Sequence, residues 1–303
     1  MNEPQSNLAL HTRKLAIFGV GLIGGSLALA LKRHHAIGQI VGVGRQSDNM
    51  QAALDLGVID AVAHDAADAL TGADIVMIAA PVAQTPDILR KIAPHLGANT
   101  VVTDAGSTKS DVQRCAQDIL GARNKRFVPG HPIAGAEKSG VTAARADLYD
   151  GKNIVLTPGA ETDADAVALV RTLWTAAGAH VTTMSAAEHD GIFAAVSHLP
   201  HLLAFALVDE LAARDNAAQL FDFAASGFRD FSRIAGSSPE MWRDISLANR
   251  PALLDELDAY AAELQKIRTL LQAADGQGLQ ALFERASQAR NAWAHKRLSP
   301  NKD

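Results

Sequence analysis

The sequence predicts an α/β fold in two parts: an N-terminal, doubly wound, mostly parallel sheet, and an all-helical C-terminal domain. Three observations support this prediction. An apolar run enters a glycine-rich turn within residues 15–26, strand-like and helix-like segments alternate up to about residue 184, and only helix-like segments follow. A chain of 303 residues is long enough for two domains of ordinary size.

The glycine-rich turn indicates what the first part binds. Gly19, Gly21 and Gly24 have the G-x-G-x-x-G spacing that follows the first strand of a dinucleotide-binding fold. There the glycines permit the turn, the approach of a pyrophosphate to the helix N-terminus, and close packing of helix on strand. We predict a Rossmann-type domain whose dinucleotide contacts these glycines and the intervening Leu22 and Ile23. The alternative is a turn that only serves packing.

Alternating segments fill the rest of the first part. Strand-like runs lie at residues 15–18, 40–43, 75–79, 101–103, 127–128, 154–156 and 180–183. Helical patterns lie between most of them, at residues 24–34, 49–56, 85–93, 109–120 and 164–176. This order is typical of a parallel sheet covered on both faces. The run at 75–79 is apolar throughout, which predicts a central strand buried on both sides.

The second part contains only helical patterns. They lie at residues 186–214, 217–226, 239–248, 251–274 and 278–296. Ser185 and Glu188 have the spacing of a capping box, which marks the first helix start. We therefore predict a flexible N-terminus at 1–12, a dinucleotide-binding domain at 13–184 and a helical domain at 185–303, with the ligand site in the cleft between the domains.

Charge and cysteine content exclude several classes. The formal net charge of −5 argues against a nucleic-acid-binding protein. Cys115 is the only cysteine, so no internal disulfide can form, and a cytoplasmic location is expected. The longest apolar stretch, residues 192–208, is interrupted by His198, Pro200 and His201, which favours a buried helix over a membrane span. No H-E-x-x-H pattern occurs, and we predict no metal site.

The end of the second strand bears on the choice of dinucleotide. An acidic residue there binds the ribose hydroxyls in NAD sites, but this chain has Gly44 followed by Arg45 and, two residues on, Ser47. A guanidinium and a hydroxyl suit a 2′-phosphate, so we favour NADP over NAD. In the alternative, Arg45 stacks on the adenine and tolerates either cofactor, or Asp48 reaches the ribose.

Reactive side chains follow several strand ends, where ligands bind in such folds. Ala80 and Pro81 follow the third apolar strand, and Asp104 and Ser107 follow the next; all four are predicted cofactor contacts. Lys109 either approaches the cofactor phosphates or faces solvent. Further segments read GHPIAG at residues 130–135, EHD at 188–190 and SHLPH at 197–201.

Together these segments resemble the prephenate/arogenate (cyclohexadienyl) dehydrogenase family of tyrosine biosynthesis. The matching motifs, in chain order, are GVGLIGGS, DAGSTK, GHPIAGAEKSG, EHD, SHLPH and FRDFSRIA. The resemblance covers nearly the whole chain, which looks like the minimal, monofunctional form. It implies NAD(P)-dependent oxidative decarboxylation of prephenate to 4-hydroxyphenylpyruvate, of arogenate to tyrosine, or of both. It also implies a homodimer joined through the C-terminal helices, and inhibition by tyrosine is a further expectation.

The resemblance assigns roles to individual side chains. His131 matches the general base that takes the proton of the ring hydroxyl, and Ser107 matches the serine that bridges hydroxyl, histidine and nicotinamide. His201 matches a histidine beside the substrate, and Arg233 matches the arginine that binds a substrate carboxylate. His198 is either a further substrate contact or a structural histidine. The alternatives are a turn-fixing role for His131 and a helix N-cap for Ser107.

Three further sites have mainly structural expectations. His189 and Asp190 are expected to tie the linker helix to the nucleotide domain rather than to take part in catalysis. Trp242 is expected to pack, or to form a wall of the site. Asp230 either orients Arg233 or is a solvated charge.

Two other functions compete with this interpretation. A 3-hydroxyacid dehydrogenase shares the two-domain plan, but its chemistry usually centres on a lysine of the helical domain, and residues 186–229 contain none. A non-catalytic redox sensor would bind a dinucleotide without needing Ser107, His131 and Arg233 together. Loss of activity in a His131→Ala variant distinguishes an enzyme from a sensor.

Overall fold

The computed structural model describes residues 12–44, 47–136 and 138–298. Arg45 and residues 1–11 of the predicted N-terminal segment therefore lie outside the described residues. The described chain forms two compact units, one ending at residue 253 and the other beginning at residue 254. The first unit contains the sheets and all the predicted site residues that are described. The domain boundary near residue 184 stays a prediction.

The larger sheet has six strands, all paired in parallel, in the order β3-β2-β1-β4-β5-β6. The strands are β1 Thr12–Phe18, β2 Ile37–Val43, β3 Ala61–Val62, β4 Ile75–Ile78, β5 Val101–Asp104 and β6 Phe127–Val128. The strand order reverses between β1 and β4, which places the crevice for a ligand at their carboxyl ends. The predicted parallel sheet is confirmed, and β4 is the fully buried central strand that its apolar run predicts.

A second sheet of three strands follows the first. It contains β7 Gly130–Pro132, β8 Asn153–Leu156 and β9 His180–Thr183, with β7 antiparallel to β8 and β8 parallel to β9. The predicted strands at 154–156 and 180–183 therefore belong to a sheet of their own and do not extend the first. Pro129 explains the break after β6, because proline has no amide hydrogen to continue a ladder.

Helices cover both faces of the six-stranded sheet. They are α1 Leu22–Arg33, α2 Ser47–Asp55, α3 Ala66–Leu70, α4 Thr85–Ile92, α5 Ser110–Leu120 and α6 Ala164–Ala176. Alternate residues of β1 belong to different cores. Leu15 and Ile17 pack with α1, α2 and α6, whereas Ala16 and Phe18 pack with α3, α4 and α5. The doubly wound arrangement is thus confirmed.

After β9 and up to residue 298, the described chain contains only helices and the turns between them, as predicted. The helices are α7 Ala186–Phe193, α8 Leu199–Ala212, α9 Ala217–Asp222, α10 Ser226–Ser232, α11 Pro239–Ala248, α12 Arg250–Gln272 and α13 Gly276–Leu298. The Ser185 side chain accepts a hydrogen bond from the Glu188 amide and caps α7, as its spacing predicts.

The predicted continuous helix at 186–214 is interrupted by a π-helical turn, Ala194–His198. Pro200 supplies the reason, because it cannot donate to the carbonyl four residues earlier and forces a local readjustment. By length and composition, the segment Ala186–Ala212 is apolar enough to cross a membrane, and 28% of its most apolar window is buried. The expectation of a buried helix is therefore wrong for most of this segment in the single chain, although the side chains of His189, Asp190 and His198 are buried.

Candidate active site

The glycine turn brings β1, β4 and the start of α1 together. Gly19 has a φ of +100°, and a Cβ there would lie 2.6 Å from the carbonyl oxygen of Ala79 and 3.0 Å from the amide nitrogen of Ala80. A Cβ on Gly24 would lie 2.3 Å from the carbonyl oxygen of Gly19. Both glycines are therefore required by close backbone contacts, and Gly24 has the packing role that its position in the motif predicts.

The N-terminus of α1 is suited to an anion. Gly21 is the N-cap, no side chain caps this helix end, and the first turn contains no acidic residue. A Cβ on Gly21 would meet nothing within 4 Å, so space is open in front of the helix end. Amide hydrogens of the first turn and the positive end of the helix dipole therefore face open space, which fits a pyrophosphate. Leu22 and Ile23 pack against the core, and Tyr149 Oη donates to the Ile23 carbonyl.

The adenosine end of the predicted dinucleotide site is described only in part. Gly44 lies directly after β2, and a Cβ there would lie 2.4 Å from Met50 Sδ. A longer side chain at this position therefore requires Met50 to move. Ser47 begins α2, and Asp48 is in its first turn. Ala80 and Pro81 follow β4, Ala80 partly buried and Pro81 exposed, beside the glycine turn.

Asp104, a predicted cofactor contact, is bound by protein groups in this structure. Its side chain is 1% exposed and forms an ion pair with Lys109, which is 0% exposed. The carboxylate also accepts hydrogen bonds from the amides of Gly106 and Gly130, and Lys109 Nζ donates to the Gly130 carbonyl. The alternative that Lys109 faces solvent is wrong, because its side chain is buried and its ammonium donates to protein groups. The pair joins the loop of Ser107 to the strand of His131.

Ser107 lies in the loop between β5 and α5 and is partly buried. The alternative role as an N-cap is wrong, because α5 begins three residues later and Lys109 holds the N-cap position. The loop and β7 are both bound to Asp104, so Ser107 and His131 are held on neighbouring backbone segments. Ser107 thus remains a candidate for the bridging serine.

His131 lies in β7 and contacts α7. Its Nδ1 is 2.8 Å from Nε2 of His189, whose Nδ1 is 2.8 Å from Oδ1 of Asp190. Asp190 also accepts hydrogen bonds from the amides of Lys109 and Ser110 at the start of α5. Asp190 thus ties α7 to the nucleotide domain as predicted. The direct contact of His189 with the candidate base is not predicted by the sequence analysis.

Electrostatics keep these histidines neutral. Burial lowers the pKa of His131 well below its ordinary value of 6.5, and unfavourable electrostatic interactions with protonated His189 and with Lys109 would oppose its protonation further. Burial also lowers the pKa of His189, against the opposing hydrogen bond to Asp190. Burial alone would raise the pKa of Asp190, but hydrogen bonds from His189, Ser110 and Lys109 hold it at about 2. A neutral imidazole next to an ionised carboxylate is therefore the state at neutral pH.

His198 occupies the π-helical turn and is 1% exposed. Asn249 Nδ2 donates to the Asp190 carbonyl and lies 3.0 Å from His198 Nδ1. If Nδ1 accepts this bond, His198 carries its hydrogen on Nε2, which is buried and has no hydrogen-bond partner among the described residues. Burial lowers the pKa of His198 to about 4. The ring is therefore anchored on one side, and its other nitrogen has no hydrogen-bond partner among the described residues.

His201 lies on α8, and its ring stacks on Trp242 with a centroid distance of 3.7 Å. Its Nδ1 lies 2.8 Å from the Ser197 carbonyl. Burial lowers the pKa of His201, and the positive charge of Arg233 contributes to the same shift. The two side chains therefore interact electrostatically. Trp242 thus forms a wall beside His201, and Arg233 begins the short 3₁₀ helix Arg233–Gly236, which packs against α8.

Asp230, which was expected either to orient Arg233 or to be solvated, lies at the surface with the neighbouring Arg229. Asp230 and Arg229 are 78% and 79% exposed and 3.9 Å apart. This weak pairing gives Asp230 the character of a solvated charge. Among the described residues, no group of three or more His, Cys, Asp or Glu side chains is arranged to hold a metal ion.

Comparison with known proteins identifies the family. Residues 27–183 match the family model described as "Prephenate dehydrogenase, nucleotide-binding domain", and residues 185–285 match "Prephenate dehydrogenase, dimerization domain". The chain belongs to the prephenate dehydrogenase family. Like other members, it is an oxidoreductase, which confirms the resemblance on which the sequence analysis depends.

Individual relatives cover most of the chain. A prephenate dehydrogenase of Bacillus subtilis is 42% identical over 280 residues, which are 91% of this chain and 75% of the relative. A cyclohexadienyl dehydrogenase of Zymomonas mobilis is 36% identical over 92% of this chain and 96% of the relative. The two relatives carry different substrate names, so membership of the family alone leaves the choice of substrate open.

Two solved structures of the family have the same fold. The prephenate dehydrogenase of Aquifex aeolicus, in complex with hydroxyphenyl propionate and NAD+, superposes with a TM-score of 0.87 at 37% identity, over 94% of this chain and 99% of that one. The Synechocystis arogenate dehydrogenase superposes with a TM-score of 0.78 at 30% identity, over 92% and 99%.

Proposed function

We propose that this protein is an NAD(P)-dependent dehydrogenase that oxidatively decarboxylates prephenate, arogenate or both. One observation carries the proposal: a neutral histidine, His131, is fixed by hydrogen bonds in the same unit as a glycine turn that fits a pyrophosphate. The substrates are cyclohexadienols with a ring hydroxyl and a ring carboxylate. Their oxidation needs a base for the hydroxyl proton, anchors for the carboxylates and a fixed geometry for hydride transfer.

The residues of the site match these needs. His131 accepts the hydroxyl proton, and Ser107 hydrogen-bonds the same hydroxyl. Arg233 binds a carboxylate through its planar fork of donors. His201, stacked on Trp242, lies beside the substrate. His198 contributes its unpaired, buried Nε2 as a further contact.

The dinucleotide is held by the glycine turn. Gly19, Gly21, Leu22, Ile23 and Gly24 supply the backbone surface at the N-terminus of α1. Ala80, Pro81 and the Ser107 loop extend it along the carboxyl ends of the strands. When bound, the nicotinamide ring accepts the hydride.

We propose NADP as the preferred cofactor, with NAD as the second choice. No carboxylate stands at position 44, and Met50 occupies the space that a side chain there would need. Arg45 and Ser47 then serve a 2′-phosphate. Initial rates with each cofactor test this. Arg45→Ala should weaken the binding of NADP by roughly 10-fold or more and leave the binding of NAD nearly unchanged. An equal decrease in the binding of both cofactors would favour stacking of Arg45 on the adenine instead.

The decisive experiment measures reduction of NAD and NADP with prephenate and with arogenate. His131→Asn should lower kcat by about 10²-fold or more, since a positioned base contributes 10²–10⁴-fold. His64→Asn, a change at an exposed histidine, is the matched control and should keep full activity. Turnover with none of the four pairs by folded, dinucleotide-binding protein would reject the proposed function, and would bring a 3-hydroxyacid dehydrogenase or a redox sensor forward.

We also propose a homodimer joined through the C-terminal helices. The second family match describes a dimerization domain. Apolar side chains in this region are exposed in the single chain, among them Val196 at 66%, Phe223 at 83% and Leu271 at 62%. Light scattering of the purified protein tests the assembly. A monomer at micromolar concentration would contradict it.

Tyrosine inhibition and a cytoplasmic location complete the proposal. Tyrosine shares the aromatic ring and polar groups of the product, so it is expected to compete in the pocket beside His201. Unchanged initial rates in millimolar tyrosine would reject this. The location follows from the single cysteine, Cys115, in a chain that needs no disulfide.

A further inference from the structure

We propose that His189 is a positioning residue for the reaction: anchored by Asp190, it holds His131 in the tautomer with hydrogen on Nδ1 and a free lone pair on Nε2. This inference rests on the proposed function, because it gives His131 the role of base. It concerns two residues whose expected role is to tie one helix to the nucleotide domain. The contacts go further than such a tie requires, since His189 also reaches His131.

The argument starts from Asp190. Its Oδ1 accepts the Lys109 amide at 2.9 Å, and its Oδ2 accepts the Ser110 amide at 2.8 Å. These backbone donors at the start of α5 stabilise the ionised carboxylate, which can only accept hydrogen bonds. The contact of 2.8 Å between Oδ1 and His189 Nδ1 therefore requires the hydrogen to lie on Nδ1 of His189.

The hydrogen position on His189 determines that on His131. A neutral imidazole with hydrogen on Nδ1 has only a lone pair on Nε2. His189 Nε2 is therefore an acceptor, and the contact of 2.8 Å with His131 requires hydrogen on Nδ1 of His131. The remaining nitrogen of His131, Nε2, is then the acceptor that a general base needs, and its lone pair is available to substrate.

Packing keeps the chain of hydrogen bonds in place. His189 is fully buried. Phe193, one turn further along α7, packs against His131 with ring centroids 4.9 Å apart and against His189 with centroids 4.5 Å apart. Rotation of either imidazole would break this packing, so the tautomer and the direction of the His131 lone pair are fixed before substrate binds.

The proton balance is simple. The hydroxyl O–H bond of the substrate breaks, and its proton forms an N–H bond at Nε2 of His131. His131 then carries a positive charge, and its Nδ1–H bond to His189 polarises towards the Asp190 carboxylate. An orienting carboxylate acts on a catalytic histidine directly in serine proteases; here one imidazole lies between them.

The test combines nitrogen NMR of labelled histidines with kinetics. In the wild-type protein, His131 should show a protonated Nδ1 and an unprotonated Nε2, its signals being identified by their absence in His131→Asn. His189→Phe keeps an aromatic ring against Phe193 but has no ring nitrogen. In this variant His131 should shift towards the opposite tautomer, and kcat should fall about 10²-fold with KM little changed, because His189 does not touch substrate.

His189→Gln supplies the rescue. Its amide oxygen can accept from His131 Nδ1, so it should recover at least 10-fold in kcat over His189→Phe. Asp190→Asn is a less useful variant, because the Asp190 carboxylate also caps α5 and its removal threatens folding. Circular dichroism and dinucleotide affinity of His189→Phe should match the wild-type protein and show that the fold is retained.

The outcomes separate this inference from the proposed function. Hydrogen on Nε2 of wild-type His131, or a His189→Phe kcat within twofold of wild type while His131→Asn is inactive, would overturn the positioning role and leave the base intact. If His131→Asn retains turnover although the tautomer is as inferred, the role of His131 as base fails instead. Equal kcat in the Phe and Gln variants would also contradict the role, because it would show that the acceptor is irrelevant.

Discussion

Removing the buried ammonium of Lys109 should strongly destabilise this protein. Lys109 and Asp104 are 0% and 1% exposed and form an ion pair at the end of β5. In Lys109→Met the carboxylate stays buried without its cation, while the amides of Gly106 and Gly130 still donate to it. The perturbation therefore isolates one charge and leaves the other hydrogen bonds of Asp104 in place.

The magnitude follows from the hydrogen bonds that the ammonium donates. Lys109 Nζ makes two of them, to Asp104 and to the Gly130 carbonyl, and bonds to charged groups contribute about 1.5–3 kcal/mol each. Removal of one partner from a buried pair typically costs about 3–5 kcal/mol. We expect the free energy of unfolding to fall by about 4 kcal/mol, a large fraction of the roughly 5–15 kcal/mol typical of a folded domain.

Urea unfolding followed by fluorescence measures the effect, with the fully buried Trp174 as a reporter in the nucleotide domain. Lys152→Met replaces an exposed lysine and should change the free energy of unfolding by less than about 0.5 kcal/mol. Adding Asp104→Asn to Lys109→Met should recover about 2 kcal/mol, because it removes the unpaired charge. A decrease below about 1 kcal/mol for Lys109→Met would refute the reasoning.

Two further predictions concern the glycine turn and pH. Gly24→Ala should weaken dinucleotide binding by roughly 10-fold or more, because its Cβ would lie 2.3 Å from a backbone oxygen. Calorimetry measures this affinity. The control variant Gly227→Ala, whose Cβ would lie in open space, should bind the dinucleotide normally. Burial lowers the pKa of His198 from 6.5 to about 4, so the unfolded chain takes up its proton first as pH falls. Its contribution to stability is complete above about pH 6.5 and is lost towards about pH 4. Between about pH 7 and pH 5 the free energy of unfolding should therefore fall by about 2 kcal/mol from this group alone, as measured by urea unfolding at each pH. His198→Asn should flatten this dependence, and an unchanged slope in that variant would contradict the assignment.

Local patterns were sufficient for most of the architecture. The apolar run at β4, the glycine spacing at α1 and the Ser185 cap each depend on neighbouring residues, so the chain alone predicts them. The π-helical turn before Pro200 was foreseeable by the same logic, since proline cannot donate a backbone hydrogen bond. The separate three-stranded sheet was not, because strand pairing joins residues far apart in sequence.

In the candidate site, too, local sequence predicts some features, and others depend on contacts between distant residues. The types of residue at positions 107, 131, 201 and 233 indicate the chemistry, because each stands in a short motif. The partners of those residues do not follow from any motif. His189 is 58 positions from His131, and Asn249 is 51 positions from His198. The one local signal was the adjacency of His189 and Asp190, which permits a histidine–carboxylate contact without showing what the other ring nitrogen reaches.

By itself, then, the sequence determined the family, the parallel sheet, the glycine turn and the identity of the candidate base. Only the tertiary structure decided that Lys109 is buried against Asp104, that Trp242 stacks on His201, and that His189 links His131 to Asp190. The physical reason is that hydrogen bonds and burial act between side chains that meet in space. A pattern along the chain shows which groups are present, whereas the fold determines which of them form hydrogen bonds with each other.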